Sequence, residues 1–477
     1  LGIIISTIAN NKNASSKALK KMPNNKPFNN KVDNKNSKLK SKNINSNNNV
    51  PNNTTNFEKN LGYEKFPFEL YNTRPLSNTS VDKGIKKNKT PIEIPKFMGK
   101  KKLTITPKLF KQNKWDLANQ ESLKKLEDSK KNGNITTQGL YDQFKARRDK
   151  ERLKLEQLKL VDRADTSKHL NDAIDFQGSC LEMCPVFERI RRELENNVSH
   201  LEKENNFASP NKAIKAFARP AASAPPPLPS DVRPPNVLVK TLNYIVDNIL
   251  QTLPENEPFI WDRTRSIRQD FTLQNYFGPE CVDCCEKIVR IHLLTVHIMV
   301  KNNADFSKQQ ELEQLNKSIV TLCEIYDEGR KRGFIYPNEA EIRSYWCLLN
   351  PRDPELDNQV QLLPKEIFND KNFQLSLTFR RLMSNSFFKE RGHKPINNGL
   401  NLTSTFFSLV AKNDTPLLLS CFFETFINEI RFYGILKLKQ TWSKKVSKNL
   451  SFDVLQDLFK FNNDKEIIEI CEYYSIS

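Results

Sequence analysis

The feature that most constrains the fold is a series of apolar patterns with helical spacing between residues 236 and 413. The segments cover 237–253, 259–276, 281–300, 307–331, 339–349, 364–388 and 400–412. Apolar residues that recur every three or four positions form one face of an α-helix, and short breaks place consecutive helices side by side. The sequence therefore predicts an all-α body of antiparallel helix pairs stacked as a superhelix.

The second of these segments, FIWDRTRSIRQDFTLQNY at 259–276, is unusually charged around its apolar stripe. The stripe consists of Ile260, Thr264, Ile267 and Phe271. Asp262 precedes Arg265 by three residues and can pair with it, while Arg263 and Asp270 lie two turns apart on the opposite flank. The residues alone allow two interpretations: an amphipathic helix with solvent-exposed ion pairs, or a helix whose charges serve the fold or a ligand.

Positive charge is concentrated in the N-terminal third of the chain. Residues 1–170 contain 37 Lys and Arg against 16 Asp and Glu, a difference of +21, whereas residues 171–477 contain 38 against 40, a difference of −2. Attraction of phosphate groups to such a tail depends on salt but not on base sequence. The distribution predicts a near-neutral helical body with a basic tail that is drawn to acidic partners or nucleic acid.

The composition of the N-terminal region predicts disorder. Residues 1–60 contain 18 Asn and 11 Lys against two acidic residues, with few large apolar groups. Such a segment cannot bury enough surface to offset the entropy cost of ordering its backbone. We therefore expect a disordered tail over 1–137. Residues 138–174 follow as a strongly charged helix and linker, whose thin leucine seam needs a partner for stability.

The C-terminal residues 416–477 predict three helices, at 417–438, 452–461 and 464–474, with Asp464 as the N-cap of the last. Three helices in this order are typical of the start of a winged-helix module. Two wing strands should follow, but the sequence ends at Ser477, so we expect a truncated module. One further helical repeat is the alternative.

The cysteines favour buried packing over metal binding or disulfides. Nine cysteines show neither the density nor the spacing of a disulfide framework, which indicates a reducing compartment. Cys180 and Cys184 have no second ligand pair nearby, although structural zinc needs four ligands. A second group comprises Cys281, Cys284, Cys285, His292 and His297. Cys285 and His292 would be about 10 Å apart along one helix, too far for a shared metal. We predict no metal and no cofactor.

No membrane span is expected, because the most apolar internal run, 288–300, carries Arg290, His292 and His297. The short apolar start of the sequence is too brief for a secretory signal, and its first residue, Leu1, suggests a fragment of a longer protein.

Four stretches with distinctive sequences follow one another along the chain. They are GSCLEMCPVFER at 178–189, KAIKAFARPAASAPPPLPSDVRPPNVL at 212–238, WDRTRSIRQDF at 261–271 and IRFYG at 430–434. Together they resemble the SAC/GANP family, which includes the yeast Sac scaffold and the animal germinal-centre-associated nuclear protein. Four ordered matches between residues 178 and 434 are far more specific than one short motif. The resemblance implies an entry segment with a proline-rich strap at 175–235, a tetratricopeptide/PCI-like body at 236–415 and a partial winged helix at 416–477.

The resemblance also implies a function. The family provides the scaffold of a nuclear-pore-associated complex that couples transcription to mRNA export, without enzymatic activity. Implied partners are a PCI-domain subunit with helical repeats and a winged helix, a small acidic proteasome-lid-type protein, RNA or DNA, and the mRNA export receptor. Phe66 and Phe68 in the tail are the candidate contacts for that receptor. The family signature residues, with a structural or partner-contacting role, are Trp261, Asp262, Arg263, Arg265, Arg268 and Asp270.

A basic linker after residue 436 is the best nucleic-acid candidate outside the tail. It contains Lys437, Lys439, Trp442, Lys444, Lys445 and Lys448. Lysines follow phosphates as point charges, and an indole ring can stack on a base. A solvated loop is the alternative interpretation.

Two other functions compete with the scaffold. One is a PCI-like subunit of a proteasome-lid, signalosome or translation-initiation assembly, which shares the predicted architecture but not the signature helix or the proline strap. The other is a thiol- or metal-dependent enzyme using the cysteine and histidine groups. That enzyme would lack a glycine-rich phosphate loop, a carboxylate pair and a closed ligand set.

Overall fold

The computed structural model describes residues 105–106, 110, 113–131, 136–163, 173–205, 207–219, 226–349, 351, 353, 355–387, 399–411, 415–441 and 450–474. Fifteen α-helices lie within these residues. They are α1 (Lys114–Lys131), α2 (Thr137–Gln157), α3 (Val186–Leu194), α4 (Pro235–Tyr244), α5 (Glu257–Leu273), α6 (Pro279–Lys301), α7 (Lys308–Lys331), α8 (Glu339–Leu349), α9 (Glu355–Gln361), α10 (Lys365–Phe368), α11 (Lys371–Phe387), α12 (Gly399–Val410), α13 (Leu417–Thr441), α14 (Phe452–Phe459) and α15 (Asp464–Tyr473).

Strand structure in the described part is limited to one short antiparallel pair, β1 (Lys203–Glu204) and β2 (Phe207–Ala208). Single turns of 3₁₀-helix cover His200–Glu202, Pro229–Asp231 and Leu250–Thr252, and a π-helical turn, Ile245–Ile249, extends α4. The predicted all-α class is confirmed.

Helix α6 lies at the centre of the body, where it packs against α4, α5, α7 and α13. Its apolar residues occur almost all round the helix, so it can be buried on every side. From α7 the chain continues through α8, α11 and α12, each packed on the one before, and α13 returns to contact α6 and α8. The predicted helical-repeat architecture is confirmed. Helix α13 follows the body and packs against α6, α8 and α12.

The predicted helix at 364–388 is two helices, α10 and α11. Asp370 causes the break, because its side-chain Oδ1 accepts the backbone N–H groups of Asn372 at 2.9 Å and Phe373 at 3.1 Å. An acidic side chain in this position caps the start of a new helix. Helix α9, absent from the prediction, has only Leu356 and Val360 as buried residues, too few for a clear periodic pattern.

The expected boundary of the disordered tail at residue 137 was wrong, since α1 occupies Lys114–Lys131. Leu123 and Leu126 of α1 pack against the buried side chains of Leu140, Phe144 and Ile190 in α2 and α3. The apolar residues of α1 are sparse, so the helix becomes favourable only when these neighbours are present. The same packing provides the partner that the charged helix α2 was predicted to need.

The C-terminal module contains α13, α14 and α15, close to the predicted positions. Asn463, not Asp464, is the N-cap of α15, because its extended backbone lets its side chain accept the N–H of Glu466 at 3.0 Å. No helix in the described part of the chain is both long enough and apolar enough to cross a membrane.

Candidate functional site: the junction around the signature helix

Helix α5 contains the charged signature, and its apolar stripe faces the core as predicted. Ile260, Thr264, Ile267 and Phe271 are all buried. Burial of each large side chain in such a stripe contributes about 1.5–3 kcal/mol before entropy costs. The other face of α5 receives two segments that precede it in sequence, residues 178–184 and the strap, defined as residues 212–234 with 220–225 outside the described part.

Asp270 anchors the strap to α5. Its carboxylate is fully buried and accepts from Lys215 Nζ at 2.6 Å and from Arg233 Nε at 2.7 Å. Arg233 is itself fully buried and also donates to Ser266 Oγ at 2.7 Å. Because two cations share one buried anion, removing Asp270 would leave both without compensation.

Glu202 forms a second buried centre, which the sequence analysis did not select. It is fully buried and pairs with Arg192 of α3 and with Arg263 of α5 at 3.1 Å. It also accepts the backbone N–H of Ile214 in the strap at 2.8 Å. One sequence signal was present: Ser199 and Glu202 have the spacing of a capping box, which the structure contains.

The expected pairing of Asp262 with Arg265 is replaced by other contacts. Asp262 pairs with Arg263 and accepts the backbone N–H of Phe217 at 3.0 Å. The guanidinium of Arg265 instead lies over two aromatic rings, 3.8 Å from the centroid of Phe217 and 4.1 Å from that of Trp261. The strap brings Phe217 to this position. The cation–π contact of Arg265 with Phe217, which is distant in sequence, therefore replaces the local ion pair between Asp262 and Arg265.

The glycine motif at 178–184 pairs with the strap through its backbone. Ser179 N–H donates to the carbonyl of Pro229 at 2.8 Å, and Cys180 N–H donates to that of Val232 at 3.1 Å. A Cβ on Gly178 would lie 2.4 Å from the Val232 oxygen, so only glycine allows this approach. The strap does not run across the surface of the repeats, because Val232 and Arg233 are buried and α2 contacts the strap through Arg148 and Glu151.

Arg189 joins the same motif to α1. Its side chain is 1 % exposed and donates to Glu127 Oε1 at 2.9 Å, to Glu182 at 2.6 Å and to the carbonyl of Cys184 at 2.9 Å. Burial by itself would lower the pKa of Arg189, but the hydrogen bond and charge of Glu127 raise it overall. The guanidinium of Arg189 therefore stays charged in the buried space between α1 and residues 178–184.

The IRFYG motif organises the C-terminal module in a comparable way. Arg431 Nε donates to the carbonyl of Phe459 at 3.2 Å and Nη2 to that of Lys460 at 2.6 Å, at the end of α14. Its guanidinium also lies 4.1 Å from the ring centroid of Phe461. A Cβ on Gly434 would lie 2.4 Å from the Phe459 ring, so glycine is needed where α13 meets α14. The motif thus fixes α14 on α13.

Comparison with known proteins agrees with this arrangement of motifs. The family model described as "SAC3/GANP family" matches residues 183–477, which is more than half of the chain. The chain belongs to the SAC3/GANP family.

Three SAC3/GANP relatives show how much of a longer protein the chain represents. SAC3 family protein 1 of Schizosaccharomyces pombe is 38% identical over 371 residues, which is 76% of this chain and 35% of that protein. Protein xmas of Drosophila melanogaster is 26% identical over 63% of this chain and 14% of its own length. SAC3 family protein B of Arabidopsis thaliana is 31% identical over 36% of this chain and 11% of its own length. The chain therefore spans about a third or less of each relative.

The residues predicted to form the family signature divide into buried and partly exposed groups. Arg263 and Asp270 are buried and hold the strap. Arg268 is partly exposed and donates to Gln314 Oε1 of α7 at 3.2 Å. Trp261 and Arg265 are also partly exposed, and burial lowers the pKa of Arg265. The charged side chains of this helix are thus mostly part of the fold.

Of the residues predicted to contact nucleic acid or the export receptor, the structure describes Lys437 and Lys439. Lys439 is exposed at the C-terminal end of α13, whereas Lys437 is partly buried, which lowers its pKa. The remaining predicted contacts lie outside the described residues: Phe66, Phe68, Trp442, Lys444, Lys445 and Lys448.

The cysteines and histidines do not converge on one point. Cys180 and Cys184 are buried as predicted, and burial raises the pKa of the Cys180 thiol to about 12. His292 contacts Glu311 of α7 at 3.1 Å, while His297 contacts Glu424 of α13. The two rings therefore point to different helices. Among the described residues, no three His, Cys, Asp or Glu side chains are grouped as a metal ion requires.

Proposed function

We propose that this chain is a non-enzymatic scaffold of a nuclear mRNA-export complex that couples transcription to export at the nuclear pore. The carrying observation is that the family's signature residues form buried ion pairs that fix the strap to the helical body, together with the family match over residues 183–477. Residues committed to such pairs serve a fixed shape. A fixed helical surface is what an assembly platform needs.

The proposed protein partners are a PCI-domain subunit with helical repeats and a winged helix, and a small acidic proteasome-lid-type protein that clasps it. Helices α13 to α15 support this, since Arg431 holds α14 against α13 in a preformed module. We propose that this module is the first part of a winged helix and packs beside that of the partner.

Affinity purification of the full chain followed by mass spectrometry tests these partners. Recovery of a PCI-domain subunit and a small acidic protein is the expected result. Recovery of proteasome-lid, signalosome or ribosomal subunits in their place would overturn the proposal. The full chain is required, because Glu127 of α1 and Arg148 of α2 are bonded to the junction.

The tail is proposed to recruit the mRNA export receptor through Phe66 and Phe68, which places the complex at the nucleoplasmic side of the pore. Short segments with aromatic side chains are the type of contact that such recruitment uses. Replacing both with alanine should reduce capture of the receptor and leave the PCI-type partner bound. Equal capture by the variant would remove these residues from the account.

The basic linker after Leu436 is proposed to bind RNA or DNA non-specifically. The supporting feature is charge, with Lys439 exposed at the helix end and further lysines at 444, 445 and 448. Replacing Lys444, Lys445 and Lys448 with glutamate should weaken nucleic-acid binding and make its salt dependence shallower by about 2 log units per log unit of salt. An unchanged affinity and slope would exclude the linker.

A further inference from the structure

A groove between α7, α8 and α9 belongs to neither the junction nor the C-terminal module. It is open to solvent and has a volume of about 520 Å³. Pockets that bind ligands usually have volumes of roughly 300–1,000 Å³, so this groove has room for a few amino-acid side chains. We call it the α7–α9 groove, and its lining includes Arg330, Lys331, Arg343, Trp346, Leu362 and Leu363.

One side of the α7–α9 groove is apolar and is fixed by packing. Trp346 and Leu363 lie against the buried cluster that contains Phe373. Leu362 is 84 % exposed, and its backbone N–H donates to the carbonyl of Gln359 at 3.2 Å, so the turn after α9 holds it at the surface. Interface hot spots are enriched in tryptophan and arginine within such pockets. This side therefore offers a place to bury an apolar side chain of a partner.

The other side of the α7–α9 groove contains a network of ion pairs. Arg330 and Arg343 both pair with Asp327, at 3.1 Å and 2.5 Å, and both also pair with Glu339, which is buried. The guanidinium of Arg343 lies 5.3 Å from the ring centroid of Trp346. Two arginines and two carboxylates compensate one another, so this network fixes the groove without giving it a net charge.

Lys331 gives the α7–α9 groove its positive charge. Its side chain is 75 % exposed, and its Nζ lies 3.7 Å from Glu328 Oε2. The carboxylate of Glu328 is also paired with Arg332 at 2.8 Å. Two cations therefore share one carboxylate at the end of α7, and one positive charge remains for a carboxylate of a partner.

The charge of the α7–α9 groove distinguishes between possible occupants. The nearest segment in sequence that lies outside the described part and is long enough to fill the groove is 388–398. That segment contains Lys389, Arg391 and Lys394 against a single acidic residue, Glu390. The tail is also strongly basic. Because like charges oppose association, an acidic segment of another protein fits the groove better than these parts of the chain itself.

We propose that the α7–α9 groove binds a short acidic segment of a partner protein that carries a large apolar side chain. The apolar side chain lies against Leu362 and Trp346, and a neighbouring carboxylate pairs with Lys331. Short segments commonly bind in preformed grooves of this kind. The inference is independent of the proposed function, because the groove has no lining residue from α13–α15, where the PCI-type partner is expected.

Selection from a displayed library of random dodecapeptides on the purified full chain tests the inference. Peptides that bind wild type but not Leu362→Ser should contain Asp or Glu beside a large apolar residue. The strongest of these peptides is then labelled with fluorescein for measurement of its Kd by fluorescence anisotropy. The Kd should be about tenfold higher for Leu362→Ser, which removes an apolar contact, and about fivefold higher for Lys331→Glu. Replacing the acidic residues of the peptide with their amides should also raise the Kd.

The matched controls are Ile335→Ser and Lys317→Glu. Ile335 is 91 % exposed and does not line the groove, and Lys317 is exposed on α7 about 21 Å along the helix from Lys331. Both controls should bind the peptide within about twofold of wild type, because they change only exposed side chains outside the groove. Thermal melts by circular dichroism verify that all variants fold.

Three outcomes would overturn the inference. The first is a selection that yields no peptide whose binding depends on Leu362. The second is recovery of groove-dependent peptides that are basic or uncharged. The third is an equal Kd for each groove variant and its matched control.

Discussion

Replacement of Asp270 with asparagine tests whether the junction depends on charge compensation. The substitution keeps the shape of the side chain but removes the negative charge shared by Lys215 and Arg233. Arg233 and Asp270 are fully buried, so water cannot replace the lost interaction. Lys215 and Arg233 would then hydrogen-bond only to neutral acceptors, which include Ser266 Oγ and the carbonyl oxygens of Asp231 and Met183.

The expected loss is large because both partners are affected. Removing one member of a buried ion pair costs about 3–5 kcal/mol, which compares with a total stability of about 5–15 kcal/mol for a typical domain. For a body of this size each kcal/mol lowers the melting temperature by about 2–4 °C, so we expect a decrease of about 10 °C. The loss should persist in high salt, since buried pairs are poorly screened.

Calorimetry of the full chain measures this decrease, with Asp283→Asn as control. Asp283 makes an exposed pair with Lys287 at 2.8 Å, and its loss should cost less than about 0.5 kcal/mol. Adding Lys215→Met to the Asp270→Asn variant removes one uncompensated cation and should recover part of the melting temperature. If Asp270→Asn melts within about 2 °C of the control, the reasoning from buried charge is wrong.

The remaining predictions concern other packed contacts. Gly434→Ala should destabilise the C-terminal module by about 1–3 kcal/mol, because the added methyl group would meet the Phe459 ring. Hydrogen exchange should show faster exchange of the α14 amides in the variant. Unchanged protection of α14 would contradict the prediction. His297 should stabilise the fold in a pH-dependent manner, since the hydrogen bonds that its protonated ring makes to Cys421 and Glu424 raise its pKa to about 10. The raised pKa means that this contribution, about 1–2 kcal/mol after screening, is full below pH ~6.5 and is lost as pH rises toward 10. The melting temperatures of wild type and His297→Asn should therefore converge at alkaline pH, and a constant difference would refute the assignment.

Much of the fold could be predicted from the sequence because helical periodicity is a local signal. The stripe of α5 and the position of α7 followed from residue spacing alone. The break at Asp370 and the helix α1 were missed for a physical reason. The cap at Asp370 is a local side-chain hydrogen bond that apolar periodicity does not register. The sparsely apolar helix α1 is instead decided by neighbours in α2 and α3 that are distant in sequence.

The candidate site shows the same division. The sequence alone identified Asp270 and Arg263 as part of an unusually charged helix, but it left open whether their charges are exposed to solvent, serve the fold or contact a ligand. Their partners Lys215, Arg233 and Glu202 lie between 37 and 61 residues away. Only the tertiary structure places these groups together, because the strap must first fold back across α5 for the pairs to form.

The amino-acid sequence thus determined the helical class, the order of the helices, the charge asymmetry between tail and body, and the family to which the chain belongs. The tertiary structure decided which charges are buried and which remain available, as the contrast between Arg148 and Arg147 on one helix shows. The reason is that the helical periodicity of apolar residues depends on positions close in sequence. The environment of a charged side chain depends instead on segments distant in sequence that folding places beside it.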